Sequence, residues 1–443
     1  MRSFFAGLIA LVIIVACGAA DAQMWLDDRQ DKEGAGIKVS DSLVLHLGLG
    51  AEAGYDTNTF YEAGSKDPAV RLRFTPYVDL ATRDGKRRVQ DDGVLDATPP
   101  KIRFRLGVAS SYDHHFALSD NSNVDQVNGK NAFGVSTNLK FELFPEGNFG
   151  LILDAAYMRT LTPYETAYDA NNRHDIRPGI GFRVRPGGGT LTFEAGYRLN
   201  FVIWEDPSMG NQNDKHTHDV RFHTSWKVFP KTALVSRFNF TPTVYYGSTT
   251  INNGSLPIRS LFGIQGLVTD RFGLLLLAGY GASFYSAGPN FDSVLAQAEL
   301  MFFITPFSNI RLGGQRDFVD SMYANYFVKN GGYLSYEHMF GGVFLATLKG
   351  EMYYRDYATN SGPYHPGVMG VSDPERSDIW ASAALLLEFR IIDWLSVHAS
   401  GSYLADITDF NYTVGDGDAS TPDFTYNAGF NKFEVFAGVR AHY

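Results

Sequence analysis

A chain of 443 residues and net charge −10 has room for several soluble domains or for one large barrel, and its acidity argues against wholesale binding of nucleic acid. Aromatic residues make up 14%, with 34 Phe and 24 Tyr beside 45 Gly, a mixture that favours strands and tight turns over helices. Outside the N-terminus no run approaches the ~20 apolar residues of a membrane helix, and the single cysteine, Cys17, excludes a disulfide framework or a Cys-based metal site.

Met1-Arg2-Ser3 and the apolar stretch Phe4–Ala16 have the form of a secretory signal. Two processing outcomes compete. Ala20-Asp21-Ala22 before Gln23 fits small-x-small cleavage, whereas Ile14-Val15-Ala16-Cys17 is similar to a lipobox whose Cys17 would be lipidated. The chain is accordingly read as a signal peptide over 1–22, a flexible periplasmic lead-in over 23–42 that is charged and without period, and one barrel over 43–443.

From Leu43 the residues alternate. Phe133, Val135, Thr137, Leu139, Phe141 and Leu143 share one face, opposite Gly134, Ser136, Asn138, Lys140 and Glu142. The same period of two runs through Leu191–Ile203, Val220–Val228 and Ile379–Phe389. Soluble sandwich strands average five or six residues. These runs are about twice that, the length a tilted strand needs to cross a bilayer.

Two kinds of connection take turns. Short ones centre on Pro145-Glu146-Gly147, Pro186-Gly187-Gly188, Pro230-Lys231, Asp270-Arg271, Pro306-Phe307, Gly341-Gly342 and Asp393-Trp394. Longer polar ones include Asp113–Lys130, Tyr164–Asp175, Asp206–His218, Ala358–Ser377 and Asp409–Gly429. Strands are expected to begin near Leu43, Ala69, Lys101, Ala132, Phe149, Ile176, Thr190, His218, Thr232, Pro257, Gly273, Asp292, Asn309, Tyr326, Val343, Ser377, Leu395 and Phe430. The expected fold is all-β: a transmembrane up-and-down antiparallel barrel of about 18 strands, with 16 as the alternative and both termini in the periplasm. Phe and Trp beside the short turns (Phe144, Phe229, Phe272, Trp394) and Tyr at the far ends (Tyr55, Tyr61, Tyr285, Tyr354, Tyr403) would form two girdles of rings at the membrane boundaries.

The last stretch, Phe433–Tyr443, alternates without a break, and only a closed barrel leaves such a terminal strand no free edge. Its Phe436-x-Gly438-x-x-Ala441-x-Tyr443 ending resembles the assembly signal of bacterial outer-membrane barrels. Gly54-Tyr55-Asp56-Thr57-Asn58-Thr59-Phe60 is similar to the Gly-Tyr-Asp-x-Asn opening of outer-membrane porin families with no assigned substrate. The resemblance covers Leu43–Tyr443. It implies an integral outer-membrane barrel of a Gram-negative bacterium, inserted among outer-membrane lipids by the barrel-assembly machinery. Some barrels of that group accompany a periplasmic polysaccharide-export protein, so passage of secreted polysaccharide is a further implication.

Eighteen strands enclose more space than side chains fill, leaving an aqueous lumen. The polar faces would line it with Arg71 and Arg73, Arg103 and Arg105, Lys140, Arg183, Arg198, Arg221 and Lys227, Arg237 and Arg390. Fewer acids share those faces, and the balancing negative charge is assigned to loops such as Asp113–Asp125 and Asp406–Asp423. An anion-leaning pore is therefore expected. The competing reading is that neighbouring strands pair and cancel these charges. Tyr77, Tyr245, Tyr353 and Trp380, also on the inner faces, could stack sugar rings or simply pack.

Arg83–Pro100, rich in both charges, is a long periplasmic connection that could dock a partner or simply be solvated. Chemistry has little to stand on: His223 and Ser225 are too few to specify a triad, and Asp113-His114-His115 points its side chains apart. No catalytic residue, metal or cofactor is expected, and oligomeric state is open. Three functions compete: a pore for polar solutes, a structural or adhesive barrel with its lumen blocked by loops, and a barrel hydrolase.

Overall fold

The computed structural model describes residues 36–443 apart from 41, 65, 83–99, 119–122, 131, 161–171, 247–251, 306–307, 360–367, 372–374 and 415–423. The signal peptide, most of the lead-in, nearly all of the Arg83–Pro100 connection and the turn at Pro306-Phe307 lie outside the described residues.

Eighteen antiparallel strands close into a barrel. In chain order they are β1 (Leu43–Asp56), β2 (Ala69–Thr82), β3 (Ile102–Ala117), β4 (Ala132–Leu143), β5 (Phe149–Thr160) and β6 (Arg173–Val184). Then come β7 (Leu191–Trp204), β8 (Lys215–Phe229), β9 (Thr232–Phe240, continued by Thr243–Tyr245), β10 (Ser255–Leu267), β11 (Phe272–Tyr285) and β12 (Phe291–Thr305). The last six are β13 (Ser308–Asp320), β14 (Tyr326–Phe340), β15 (Phe344–Tyr357), β16 (Ser377–Ile392), β17 (Leu395–Ile407) and β18 (Phe430–His442). Every expected start lies within a few residues of one of these, and the sixteen-strand alternative is excluded.

Each strand pairs with its neighbours in sequence, and β18 returns to β1 with Gly48 opposite His442 and Asp56 opposite Glu434. Leu47 and Tyr443 exchange backbone hydrogen bonds at 3.2 and 2.9 Å, so the terminal residue completes the ring. The short turns are chemically apt: Gly341 (φ 56°) and Gly342 (φ 75°) supply the two left-handed residues of a hairpin turn closed by Val343 N–H donating to Phe340 O at 3.1 Å.

Exposure alternates with the sequence. On β2 the residues Ala69, Arg71, Arg73, Thr75 and Tyr77 are buried, while Leu72, Phe74 and Val78 between them are exposed. The exposed face of the ring is mainly apolar, with Phe262, Val294, Leu312 and Met352 more than half exposed, and polar residues on it such as His114, Arg159 and Arg316 lie toward the loop end. A closed barrel with an oily exterior belongs in lipid, where every backbone polar group must be paired internally. Among the described residues no helix is long and apolar enough to cross a membrane.

The ring girdles are only partly as expected. Phe144, Phe149, Phe229, Phe272, Phe340 and Trp394 are exposed at the turn end, and Tyr55, Tyr246, Tyr354 and Tyr403 at the loop end. Tyr61 instead turns inward and is buried, because near the loop end the polar rim no longer marks which face is which.

Candidate functional site: the charged interior

Where β1 meets β18, the inner wall is a ladder of ion pairs. At the loop end Lys432 Nζ lies 2.7 Å from Asp56 Oδ2. Arg71 bridges Asp56 at 3.3 Å, Asp113 at 3.1 Å and Glu434. One step along, Arg73 Nε donates to Asp113 Oδ1 at 2.7 Å, with Glu52 at 3.7 Å. Farther along, Arg440 donates to Glu388 at 2.6 Å and to the Tyr77 hydroxyl at 3.1 Å. Arg73 and Arg440 are each 1% exposed, so these charges are held by one another rather than by solvent.

Glycine makes the ladder possible. Asp154 on β5 and Arg198 on β7 are separated by β6, yet Arg198 Nε donates to Asp154 Oδ2 at 3.0 Å. The residue between them in register is Gly179, and a Cβ there would sit 2.8 Å from the Asp154 carboxylate. Gly48 gives way to the Tyr77 ring, and Gly54 to the Phe436 ring. Phe436 and Gly438 of the carboxyl-terminal motif both stand on this inner wall, Phe436 with Arg73 over its ring at 4.1 Å. Tyr443 is 64% exposed at the turn end.

The other basic residues are also mostly matched. Arg103 lies 3.1 Å from Glu142, which also holds Lys140 at 3.1 Å. Arg105 reaches Asp79 at 2.8 Å, Arg183 pairs with Glu194, and Arg221 lies 3.4 Å from Asp219. Lys227, opposite Ala233, and Arg390, opposite Ser396, stand near the turn end. Two of the matching acids, Asp113 and Asp406, expected from the sequence in loops, belong instead to β3 and β17, are buried, and contact Arg73 and Arg376 respectively. Lys432 and Arg376 in turn add cations that the expected set did not include.

The wall from β9 to β15 differs in part, although Arg259 still pairs with Asp317 at 2.9 Å. Arg237 donates to the neutral Gln297 amide oxygen at 3.1 Å, Lys329 Nζ lies 3.6 Å from the Tyr353 ring centre, and Arg355 lies 4.0 Å over Trp380. Tyr245 has Lys215 at 5.3 Å from its ring centre. Of the four inner aromatics that could have stacked sugars or simply packed, Tyr353, Trp380 and Tyr245 thus carry cations, and Tyr77 covers Gly48.

The Gly-Tyr-Asp-x-Asn stretch proves to be a rim joint. The Asp56 carboxylate accepts from Asn58 N–H at 2.9 Å as well as meeting Lys432. Asn58, fully buried, donates to Glu62 O at 2.8 Å and Asn431 O at 2.9 Å, and accepts from Glu62 N–H at 2.8 Å. Lys130, just past the short helix α1 (Val124–Gly129), donates to Thr59 O at 2.9 Å. Tyr61 takes a left-handed φ of 60° in this joint and lays its ring 4.2 Å from Lys432 Nζ.

At the loop end an apolar cluster crosses the mouth. Val202 and Trp204 of β7 pack with Met322 and Tyr323, between β13 and β14, and with Phe410 and Ala428, between β17 and β18. These elements come from opposite sides of the ring. Arg376, 2% exposed, stands beside them, 5.1 Å from the Phe410 ring centre and 5.6 Å from that of Tyr323. Its guanidinium is held by Asp378 and, at 3.5 Å, by Asp406.

His223 and Ser225 stand on β8 opposite Glu194 and Thr192, with Glu194 engaged by Arg183. His114 faces outward beside Tyr112 and Phe116, while Asp113 and His115 face inward, so that trio does not converge. Among the described residues no group of three or more His, Cys, Asp or Glu side chains could hold a metal ion.

No protein-family model matches the chain, and no curated protein matches it. Solved barrels do resemble it in shape. Pseudomonas aeruginosa OpdK with vanillate is 11% identical, with 90% of this chain and 99% of that one covered and a TM-score of 0.42. OccK2 of the same organism, in complex with glucuronate, is 12% identical over 90% and 98%, with a TM-score of 0.43. The FrpB iron transporter of Neisseria meningitidis is 8% identical over 91% and 82%, with a TM-score of 0.44. Likeness this distant transfers neither solute nor gating to the present chain.

Proposed function

We propose that the barrel is a pore of a Gram-negative outer membrane for small polar solutes, with a preference for anions and with its termini on the periplasmic side. The observation that carries the pore reading is the contrast between the two faces of one closed ring: apolar residues outside, and Arg, Lys, Asp and Glu inside where a plain structural barrel would need only packing. Support for anion preference comes from the β9–β15 wall, where Arg237, Lys329 and Arg355 are held by an amide or by rings rather than by carboxylates. Fixed cations of this kind raise the local concentration of anions and repel cations. Covered ring faces at Tyr353 and Trp380 leave little for stacking sugars, so a polysaccharide track is not included.

Purified protein in planar lipid bilayers tests both parts. Discrete conductance steps are expected, with a reversal potential across a salt gradient set mainly by the anion. A reversal potential of the opposite sign would leave the pore and remove the selectivity. A second reading, a barrel closed to solutes, is favoured by the Trp204–Tyr323–Phe410 cluster across the mouth. Failure to conduct in any salt would support it.

A further inference from the structure

Four inner residues form a row across neighbouring strands: Asp317 on β13, Lys329 on β14, Arg355 on β15 and Asp378 on β16, each the register partner of the next. Cross-strand pairing would join Asp317 to Lys329 and Arg355 to Asp378. Neither pair forms. Asp317 Oδ1 instead accepts from Arg259 Nε on β10 at 2.9 Å, and Asp378 Oδ1 accepts from Arg376 Nε at 3.1 Å. Two cations are left side by side in the middle of the row, with Glu351 and Asp317 acting on Lys329 through space but, among the described residues, no carboxylate in contact with either cation.

Their surroundings hold them there. Lys329 sits 3.6 Å from the Tyr353 ring centre, and the Arg355 guanidinium lies between Trp380 at 4.0 Å and Phe327 at 5.1 Å. The two rings hold the guanidinium in place without using its N–H donors as carboxylates would. Among the described residues neither cation belongs to an ion pair, and Nε and Nη1 of Arg355, a residue 8% exposed, have no acceptor.

We infer that Lys329 and Arg355 form a binding site for a compact oxyanion of the phosphate type, just inside the loop end of the barrel. Two adjacent cations suit a group that spreads negative charge over several oxygens, and a planar guanidinium edge suits two of those oxygens at once. Because the ring faces are already covered by cations, the site favours a small anion over a flat aromatic or a sugar. The inference deepens the pore reading and depends on it only for the route by which the anion arrives.

Inorganic phosphate titrated calorimetrically into the detergent-solubilised barrel, in chloride buffer, tests the site apart from conduction. Saturable binding is expected, about tenfold weaker in Lys329→Gln, the loss of one charge-assisted contact. Arg355→Lys, which keeps the charge but loses the fork, should weaken it as well. Heat-modifiable migration on gels confirms that each variant is a folded barrel. Absence of saturable binding, or equal binding by the folded wild type and the Lys329→Gln, Arg355→Gln double variant, overturns the site. Phosphate binding by a protein that shows no conductance would sustain the site while defeating the pore, and conductance with no phosphate binding would do the reverse.

Discussion

His398 Nε2 lies 2.8 Å from Glu52 Oε1, although β17 and β1 are not neighbours. The strand between them passes beneath the contact as Gly438, register partner of both residues. A side chain at that position has nowhere to go: a Cβ would come within 2.3 Å of Ala51 O and 2.8 Å of Glu52 Cγ. Gly438→Ala should therefore strain the closing seam by about 1–3 kcal/mol, as overpacking does. The measurement is the urea midpoint of the barrel in detergent micelles, and an unchanged midpoint would mean that the seam has slack.

Burial separates two arginines that look alike in sequence. The Arg73 side chain is 1% exposed between Asp113 and Glu52, whereas that of Arg103 is 45% exposed, and its partner Glu142 also has Lys140. Arg73→Met takes from two buried carboxylates the cation they share, leaving Asp113 to Arg71 and Glu52 to His398, and should cost about 3 kcal/mol. Arg103→Met removes a half-exposed cation from the buried Glu142, which keeps Lys140 at 3.1 Å, and should cost less, about 1 kcal/mol. Equal losses in the two variants would contradict the ladder.

Lys130 provides a pH test outside the strands. Burial, and then the Lys432 cation and Arg71, push its ammonium down to about 7, against the pull of Asp56 and Glu62. A lysine in the unfolded chain titrates near 10.4. Between those values the unfolded chain holds more protons, so this residue makes stability rise with pH. Its penalty is complete below the folded value and gone above the unfolded one. Lys130→Met should thus gain most over the wild type near pH 6, and that gain should shrink toward pH 10. A difference in urea midpoint that is flat with pH would rule this out.

Strand number and order were legible because a two-residue period sustained over bilayer length has few other readings. What was not legible is which inner charges meet. Arg198 finds Asp154 two strands away only because Gly179 lies between them, and a sequence gives no sign of a partner on the next strand but one. Asp113 and Asp406 read as loop residues in the sequence because apolar alternation fades before the strands end, and Arg376 and Lys432 escape notice for the same reason. The Asp56-x-Asn58 pair carried a recognisable pattern, but its work as a rim joint depends on Asn431 and Lys432, far away in the chain.

Trp204 should control the width of the mouth. It is 5% exposed and packs with Met322, Tyr323 and Phe410, whose segments reach it from the far side of the ring. Truncating a buried Trp to Ala removes about 3–5 kcal/mol of packing, and here the loss falls on the loop contacts and on Arg173 of β6, 5.5 Å from the ring centre, rather than on the backbone ladder. Trp204→Ala is therefore expected to leave the barrel heat-modifiable and closed in its hydrogen-bond ladder while loosening the crossing. Single-channel conductance should rise and its flickering increase, with reversal potential unchanged, since Arg237, Lys329 and Arg355 lie elsewhere on the wall. If conductance stays at the wild-type level, the crossing does not set the resistance of the pore, and the narrowing lies deeper among the charged rows of the interior.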